Sequence, residues 1–131
     1  SRHYVAQARR NRSLASLKAF ILVDMIGDRD LRIKRDANST PWLTDLIWAA
    51  AAREKRSAVF VQEPTQIDDD HVPFIDAGIP SVDIIDLEYP PWHTADDTLT
   101  AVSAGSLQAV GDVLLAALPA IEGRLVSTRA R

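Results

Sequence analysis

Apolar and polar positions alternate along the chain in short blocks. Leu17–Ile26 (LKAFILVDMI) is a near-continuous apolar run, rich in branched and aromatic residues, and it ends at Gly27. Its shortness predicts a strand buried on both faces, as in a parallel sheet covered by helices. Ahead of it, Ser1–Ser16 is basic and polar, with a weak helical pattern around Tyr4, Ala8 and Arg12. Behind it, Asp28–Thr40 is charged and irregular and reads as a loop. Pro41 suits the first turn of a helix, where its missing N–H costs nothing. Trp42, Leu43, Leu46, Ile47 and Ala50 then recur at helical spacing, and Arg53–Arg56 closes the helix with positive charge.

Further along, Ala58–Val61 (AVFV) reads as a short strand and Glu63–Asp70 as a polar loop. His71–Ala77 suits a short helix stopped by Gly78. Ser81–Ile85 predicts another strand, and Asp86–Asp97, with Pro90-Pro91, is too proline-rich for regular structure. Leu99, Val102, Ser106, Val110, Val113, Leu114 and Ala117 mark a long amphipathic helix. Pro119 is expected to end it and to leave residues 120–131 as a flexible tail. The order strand, helix, strand, short helix, strand, helix argues an α/β fold with a mostly parallel sheet flanked by helices, one domain over residues 1–131 with no repeat or linker.

Composition narrows the function classes. At 131 residues and 47% apolar, the chain suits one folded domain. No uninterrupted apolar run reaches about 18 residues, so no membrane-spanning helix is expected. The absence of cysteine excludes a disulfide scaffold, a thiolate zinc finger and a cysteine nucleophile. A net charge of −3 gives no pull toward nucleic acid. That mild value hides a split: residues 1–35 carry nine Lys/Arg against three Asp, whereas Glu63–Asp97 carries ten acids, two histidines and no base. Carboxylates without a local base repel one another, so this stretch is either a solvated acidic face or the surroundings of a cation.

In open α/β sheets, functional groups gather past the carboxyl ends of strands. Three such places hold ionisable residues here: Asp24; Asp68-Asp69-Asp70-His71; and Asp83, Asp86 with Trp92-His93. Carboxylate and imidazole together suit zinc or a similar divalent ion, and His93, in a proline-stiffened loop, is the best ligand candidate. Plainer readings stand beside these. Asp24 suits a buried acid satisfied by backbone donors, Asp68–Asp70 a solvated turn, and Asp70 a helix cap. His71 suits a structural histidine, Trp42 and Trp48 suit packing, and Asp96 and Asp97 suit a helix N-terminus. Arg9, Arg10 and Arg12 suit a solvated face. No G-x-S-x-G, P-loop or H-E-x-x-H occurs.

Asp69-Asp70-His71-Val72-Pro73-Phe74, Gly78-Ile79-Pro80, Trp92-His93-Thr94 and Asp96-Asp97-Thr98 occur in an order that resembles the C-terminal half of glutaminyl-peptide cyclotransferases. These share a superfamily with zinc aminopeptidases of the bacterial leucyl type. Leu22-Val23-Asp24-Met25-Ile26-Gly27 and Ser1-Arg2-His3 extend the likeness over about residues 1–115. The resemblance implies a phosphorylase/hydrolase-like zinc-peptidase fold, of which this is the later half. It implies that His93 binds zinc, that Trp92 lines the substrate pocket, and that Tyr89 stands where animal cyclases have a pocket Phe. Asp69 matches an acid that hydrogen-bonds the catalytic glutamate. Asp24 binds a second zinc in the dinuclear aminopeptidases and contacts the substrate amine in the one-zinc cyclases. Asp83 departs from the pattern, since animal cyclases have a histidine there.

The family's remaining zinc ligands and its catalytic Glu precede the Ser-Arg-His segment, so they are expected upstream of Ser1. The implied activity is zinc-dependent formation of N-terminal pyroglutamate from Gln-peptides with loss of ammonia, favoured over aminopeptidase action by Trp92 and the Asp69-Asp70-His71 segment. A third reading is a non-catalytic half-domain that self-associates or pairs with the missing half. The expected partner is a peptide N-terminus, with neither nucleic acid nor membrane, and the resemblance suggests export or a periplasmic location.

Overall fold

The computed structural model describes residues 1–129. Its elements are α1 (Arg2–Arg10), β1 (Phe20–Asp24), β2 (Ile33–Asp36), α2 (Pro41–Arg53), β3 (Phe60–Thr65), α3 (Val72–Asp76), β4 (Ser81–Ile85) and α4 (Ala104–Arg129). β1 pairs with β4 in parallel, from Phe20 opposite Ser81 to Asp24 opposite Ile85. β2 pairs with β3, also in parallel, with an irregularity between Ile33 and Arg35. Pro64 sits in β3 without an N–H to give, which an edge strand tolerates.

The two strand pairs are joined by side chains instead of a ladder. The free edge of β4 donates the Ser81 N–H to Thr40 Oγ1 (2.9 Å) and the Asp83 N–H to Ser39 Oγ (3.0 Å), while Thr40 N–H donates to the Ser81 carbonyl (2.7 Å). At the other end, Asp86 Oδ2 accepts the Arg32 N–H at 2.8 Å. The start of β2 thus lies by the end of β4, and the Ser81 and Asp83 N–H groups and the Ser81 carbonyl find substitute partners along this seam.

Strand alternation divides the core. Val82 and Ile84 point to one side, where α2 and α4 pack with Ile33, Leu43, Ile47, Phe60 and Val113 fully buried. Trp48 stands edge-on to Phe60 and donates its indole N–H to the Val61 carbonyl (2.8 Å), so it is a packing residue. On the other side, Val5 of α1 and Phe74 of α3 form a smaller cluster, with Phe20 stacked on Phe74 at 3.9 Å. Gly78, at φ +81°, ends the α3 segment in the left-handed turn its sequence predicts.

Four elements differ from the sequence reading. Asp28–Thr40 contains β2, whose Ile33 and Asp36 are buried while Lys34 and Arg35 are half-buried; its ladder with β3 outweighs its polar composition. β3 runs on into the stretch read as a polar loop, ending at Thr65. β1 is not fully buried: Phe20, Ile21 and Leu22 are half-buried, and Val23, 40% exposed, and Asp24 lie at its open end. Pro119 does not end α4. The helix continues to Arg129 because Val113, Ala117 and Ile121, spaced four apart, keep one face buried on either side of the proline. A proline in mid-helix leaves the carbonyl four residues back, here Leu115, without its helical donor; beside it, Ala116 O accepts from Arg53 at 3.4 Å. The tail expected from residue 120 is therefore helical to Arg129, and residues 130–131 lie outside the described residues. By length and composition Ala104–Ser127 of α4 is apolar enough to cross a membrane, although the inner face of α4 packs on α2.

If residues beyond Pro119 belong to the core, Ile121→Ala lowers unfolding free energy in urea by about 2–4 kcal/mol, whereas a loose tail would show no change.

Candidate functional site

At the carboxyl end of β1 the chain turns sharply. Asp24 is exposed, its Oδ1 accepts the Met25 N–H at 2.8 Å, and Met25 adopts φ 49°. The alternative of a buried Asp24 is thereby excluded. Gly27 allows the β4–α4 loop to close against it: a Cβ there would meet Val102 at 3.1 Å, and the Gly27 carbonyl accepts the Ser103 N–H at 2.8 Å.

That loop carries the aromatic and imidazole candidates. Tyr89, Trp92 and Asp97 line a pocket of about 170 Å³ together with Met25, Gly27 and Asp28. Trp92 is 48% exposed and its ring lies 4.3 Å from that of His93. His93 is exposed and held at φ 59°. The Tyr89 hydroxyl donates to Asp97 Oδ1 at 2.7 Å. That bond, with burial, pushes the phenol up to about 12, so Tyr89 stays neutral. Asp97 is thus spent on Tyr89, well before α4 begins at Ala104, and does not serve the helix N-terminus.

Asp69 lies elsewhere on this rim. It is half-buried just before α3, its Oδ1 accepts the Asp70 N–H at 2.6 Å, and it lines a separate polar pocket with Arg2, His3 and Asp68. Asp70 does not cap α3; its Oδ1 accepts from the Ser1 hydroxyl at 2.8 Å. Asp86 is structural, its two oxygens taking the Arg32 and Glu88 N–H groups.

Beneath Asp24 and Asp69 is a buried cluster that the sequence reading did not assemble. His71, fully buried, places Nε2 3.1 Å from Asp36 Oδ2 and Nδ1 3.6 Å from Asp83 Oδ2. Asp36 also accepts from Ser39 Oγ (2.7 Å), Ile67 N (2.9 Å) and Asn38 N (3.1 Å). Burial opposes its charge, but His71 and these donors prevail and hold its carboxyl below the usual range. Burial alone would discharge His71; the Asp36 and Asp83 carboxylates outweigh it and keep the imidazolium favoured. Asp83 is different. Neither of its oxygens accepts a hydrogen bond, and burial, opposed by His71 and reinforced by the charges of Asp69, Asp36 and Asp24, pushes it up to about 7. An acid inside the apolar strand SVDII was the one local hint; Asp36, in a stretch read as loop, gave none.

Zinc can be weighed against these donors. The His93 ring makes no hydrogen bond and is solvent-facing, and one Asp24 oxygen is free of the Met25 contact, so both suit ligands. Among the described residues no group of three His, Asp or Glu is gathered as a metal site. The chain thus offers part of a site, short of the three protein ligands a catalytic zinc usually has.

Residues 1–118 match the model of peptidase family M28, and the chain belongs to that family. Among solved structures, a glutaminyl cyclase from an Acidobacteriales bacterium is 45% identical, with a TM-score of 0.89 over 94% of this chain and 45% of its own. The Porphyromonas gingivalis glutaminyl cyclase is 30% identical (TM-score 0.76; 88% of this chain, 47% of that one). A leucine aminopeptidase precursor from Bacteroides thetaiotaomicron is 28% identical (TM-score 0.72; 76% and 37%). The chain therefore spans less than half the length of these relatives. No curated protein matches it.

The buried cluster makes stability depend on pH. Unfolded Asp83 titrates near 3.8 and folded Asp83 near 7, so the folded state holds an extra proton between those values. This contribution is full below 3.8 and is lost as pH rises to about 7. The raised pKa of His71 acts in the same sense above 6.5, whereas Asp36, held below 3.8, contributes stability that is lost in stronger acid. Urea midpoints are expected to peak at mildly acidic pH and fall toward pH 8, with Asp83→Asn removing most of the fall. The same fall in Asp83→Asn would contradict this account.

Proposed function

We propose that this chain is the later half of a zinc-dependent glutaminyl-peptide cyclotransferase, which closes an N-terminal glutamine to pyroglutamate with release of ammonia. The observation that carries the reading is the pocket at the end of β1, where the exposed Trp92 ring forms a wall beside His93 and the Asp24 turn. The 45% identity to a bacterial glutaminyl cyclase supports it.

In this reading His93 supplies one zinc ligand and the others come from the rest of the protein. The bound ion would polarise the γ-amide carbonyl as a Lewis acid. The chain's own residues bind and orient. Trp92 offers a flat apolar face to the glutamine side chain. Asp24 presents a solvent-facing carboxylate to the substrate's α-amine, and Asp69 orients the glutamate that takes the amine's proton. The amine and the amide belong to one glutamine, so the attack is intramolecular, and a pocket that holds the two in the ring-closing orientation supplies much of the acceleration.

Aminopeptidase action is the second reading, favoured by the leucine aminopeptidase precursor among the structural relatives; there Asp24 would bind a second zinc. A half-domain that self-associates or pairs with its other half is the third. Assays on the full-length protein with Gln-peptides and Leu-anilides separate the first two. Turnover of Gln-peptides, abolished by His93→Ala, is the expected outcome, and cleavage of Leu-anilides alone would reassign the activity. Residues 1–131 by themselves are expected to turn over neither substrate.

A further inference from the structure

Tyr89 is the one buried side chain between Asp86 and Ser106, and it is 9% exposed. The loop around it is fastened at both ends. Glu88 N–H donates to Asp86 Oδ1 at 2.9 Å at the start, and Ser103 N–H to the Gly27 carbonyl at 2.8 Å at the finish. Arg29 N–H reaches the Ala101 carbonyl at 3.3 Å near that finish. Between these ends the bonds are local. Trp92 N–H donates to Tyr89 O (3.1 Å), Thr94 N–H to Pro91 O (3.0 Å) and Asp97 N–H to Thr94 O (3.3 Å). A run of such turns does not resist opening by itself, since each bond is exposed to water. Yet His93 sits at its middle with φ 59°, a backbone state that a non-glycine side chain disfavours and that persists only where the surroundings enforce it. Two side-chain bonds bracket Trp92-His93: the Thr94 hydroxyl donates to the Pro91 carbonyl at 2.7 Å within the turn, and the Tyr89 hydroxyl donates to Asp97 at 2.7 Å, the wider of the two and the one that ties the turn to a buried ring.

We propose that Tyr89 and Asp97 form a clasp that positions the Trp92-His93 turn, so that Tyr89 acts through His93 and does not offer its hydroxyl to a ligand. Its ring is anchored under the loop and lines the pocket only as a wall, while its hydroxyl is already committed. The consequence for the site rests on the reading of His93 as a zinc ligand. A partner that fixes the orientation of such a ligand typically affects metal affinity tenfold or more.

The test is amide hydrogen exchange and zinc titration on the full-length protein carrying Tyr89→Phe, Asp97→Ala or both. Tyr89→Phe keeps the buried ring and removes only the hydroxyl. Each single change is expected to speed exchange at the Trp92 and Thr94 amides about five- to tenfold, the loss of one hydrogen bond. The double change should add nothing more, and Ile84 of β4 should keep its rate. Zinc affinity, read against a chelator, should fall about tenfold in each. Unchanged exchange at Trp92 and Thr94, additive effects in the double variant, or equal acceleration at Ile84 would each overturn the clasp, whereas faster exchange with unchanged zinc affinity would keep the clasp and overturn its link to a zinc ligand. Neither readout needs turnover. A wild-type protein that binds zinc without cyclising Gln-peptides would refute the proposed function and leave the clasp to be decided by exchange.

Discussion

An imidazole held between two buried carboxylates ties three parts of the chain together beneath the strand ends. Asp36 closes β2, His71 precedes α3, and Asp83 lies in the middle of β4. α3 has five residues, too few to hold a helix by its own hydrogen bonds, so the Asp69–His71 segment is placed by this tie and by Phe74 beneath it. Removing one partner from such a cluster typically costs about 3–5 kcal/mol, because an unpaired charge is left in a medium that cannot solvate it. The same low dielectric lets Asp83 keep a proton to near-neutral pH, which relieves the repulsion among the acids above it.

The acid-rich stretch from Glu63 to Asp97 divides accordingly. Its bases come from β2 and the residue just before it: Arg32 pairs with Glu63, and Lys34 with both Glu63 and Glu88. These exposed pairs contribute little to stability individually, but they explain why a stretch without local bases lies beside the basic first third of the chain. Asp86 is absorbed by backbone N–H groups, Asp97 by Tyr89, and Asp83 by protonation. Asp24 remains solvent-facing and Asp69 half-buried at the rim, while His93 faces solvent in the adjoining loop.

Membership of peptidase family M28 accounts for the layered α/β core, and the glutaminyl cyclases and aminopeptidase among its structural relatives share that scaffold. A common scaffold does not choose between cyclisation and hydrolysis. Over the end of β1 this chain places an exposed indole, a tyrosine committed to Asp97 and a histidine at φ 59°.

Much of this was legible in the sequence. Helical spacing after Pro41 defined α2, the apolar SVDII defined β4, and Gly78 marked the turn between α3 and β4, because periodicity and backbone sterics act locally. The motifs around Asp24, Asp69 and His93 were visible as an ordered set, and the α/β alternation followed from block order. Three features were decided only by tertiary structure. β2 exists because β3 offers it a ladder, although its composition is that of a loop. α4 passes Pro119 because the burial of Ala117 and Ile121 outweighs a broken helical bond. Asp36, His71 and Asp83 act as one group because folding removes them from water together, and no local pattern encodes which distant charge a buried imidazole will meet.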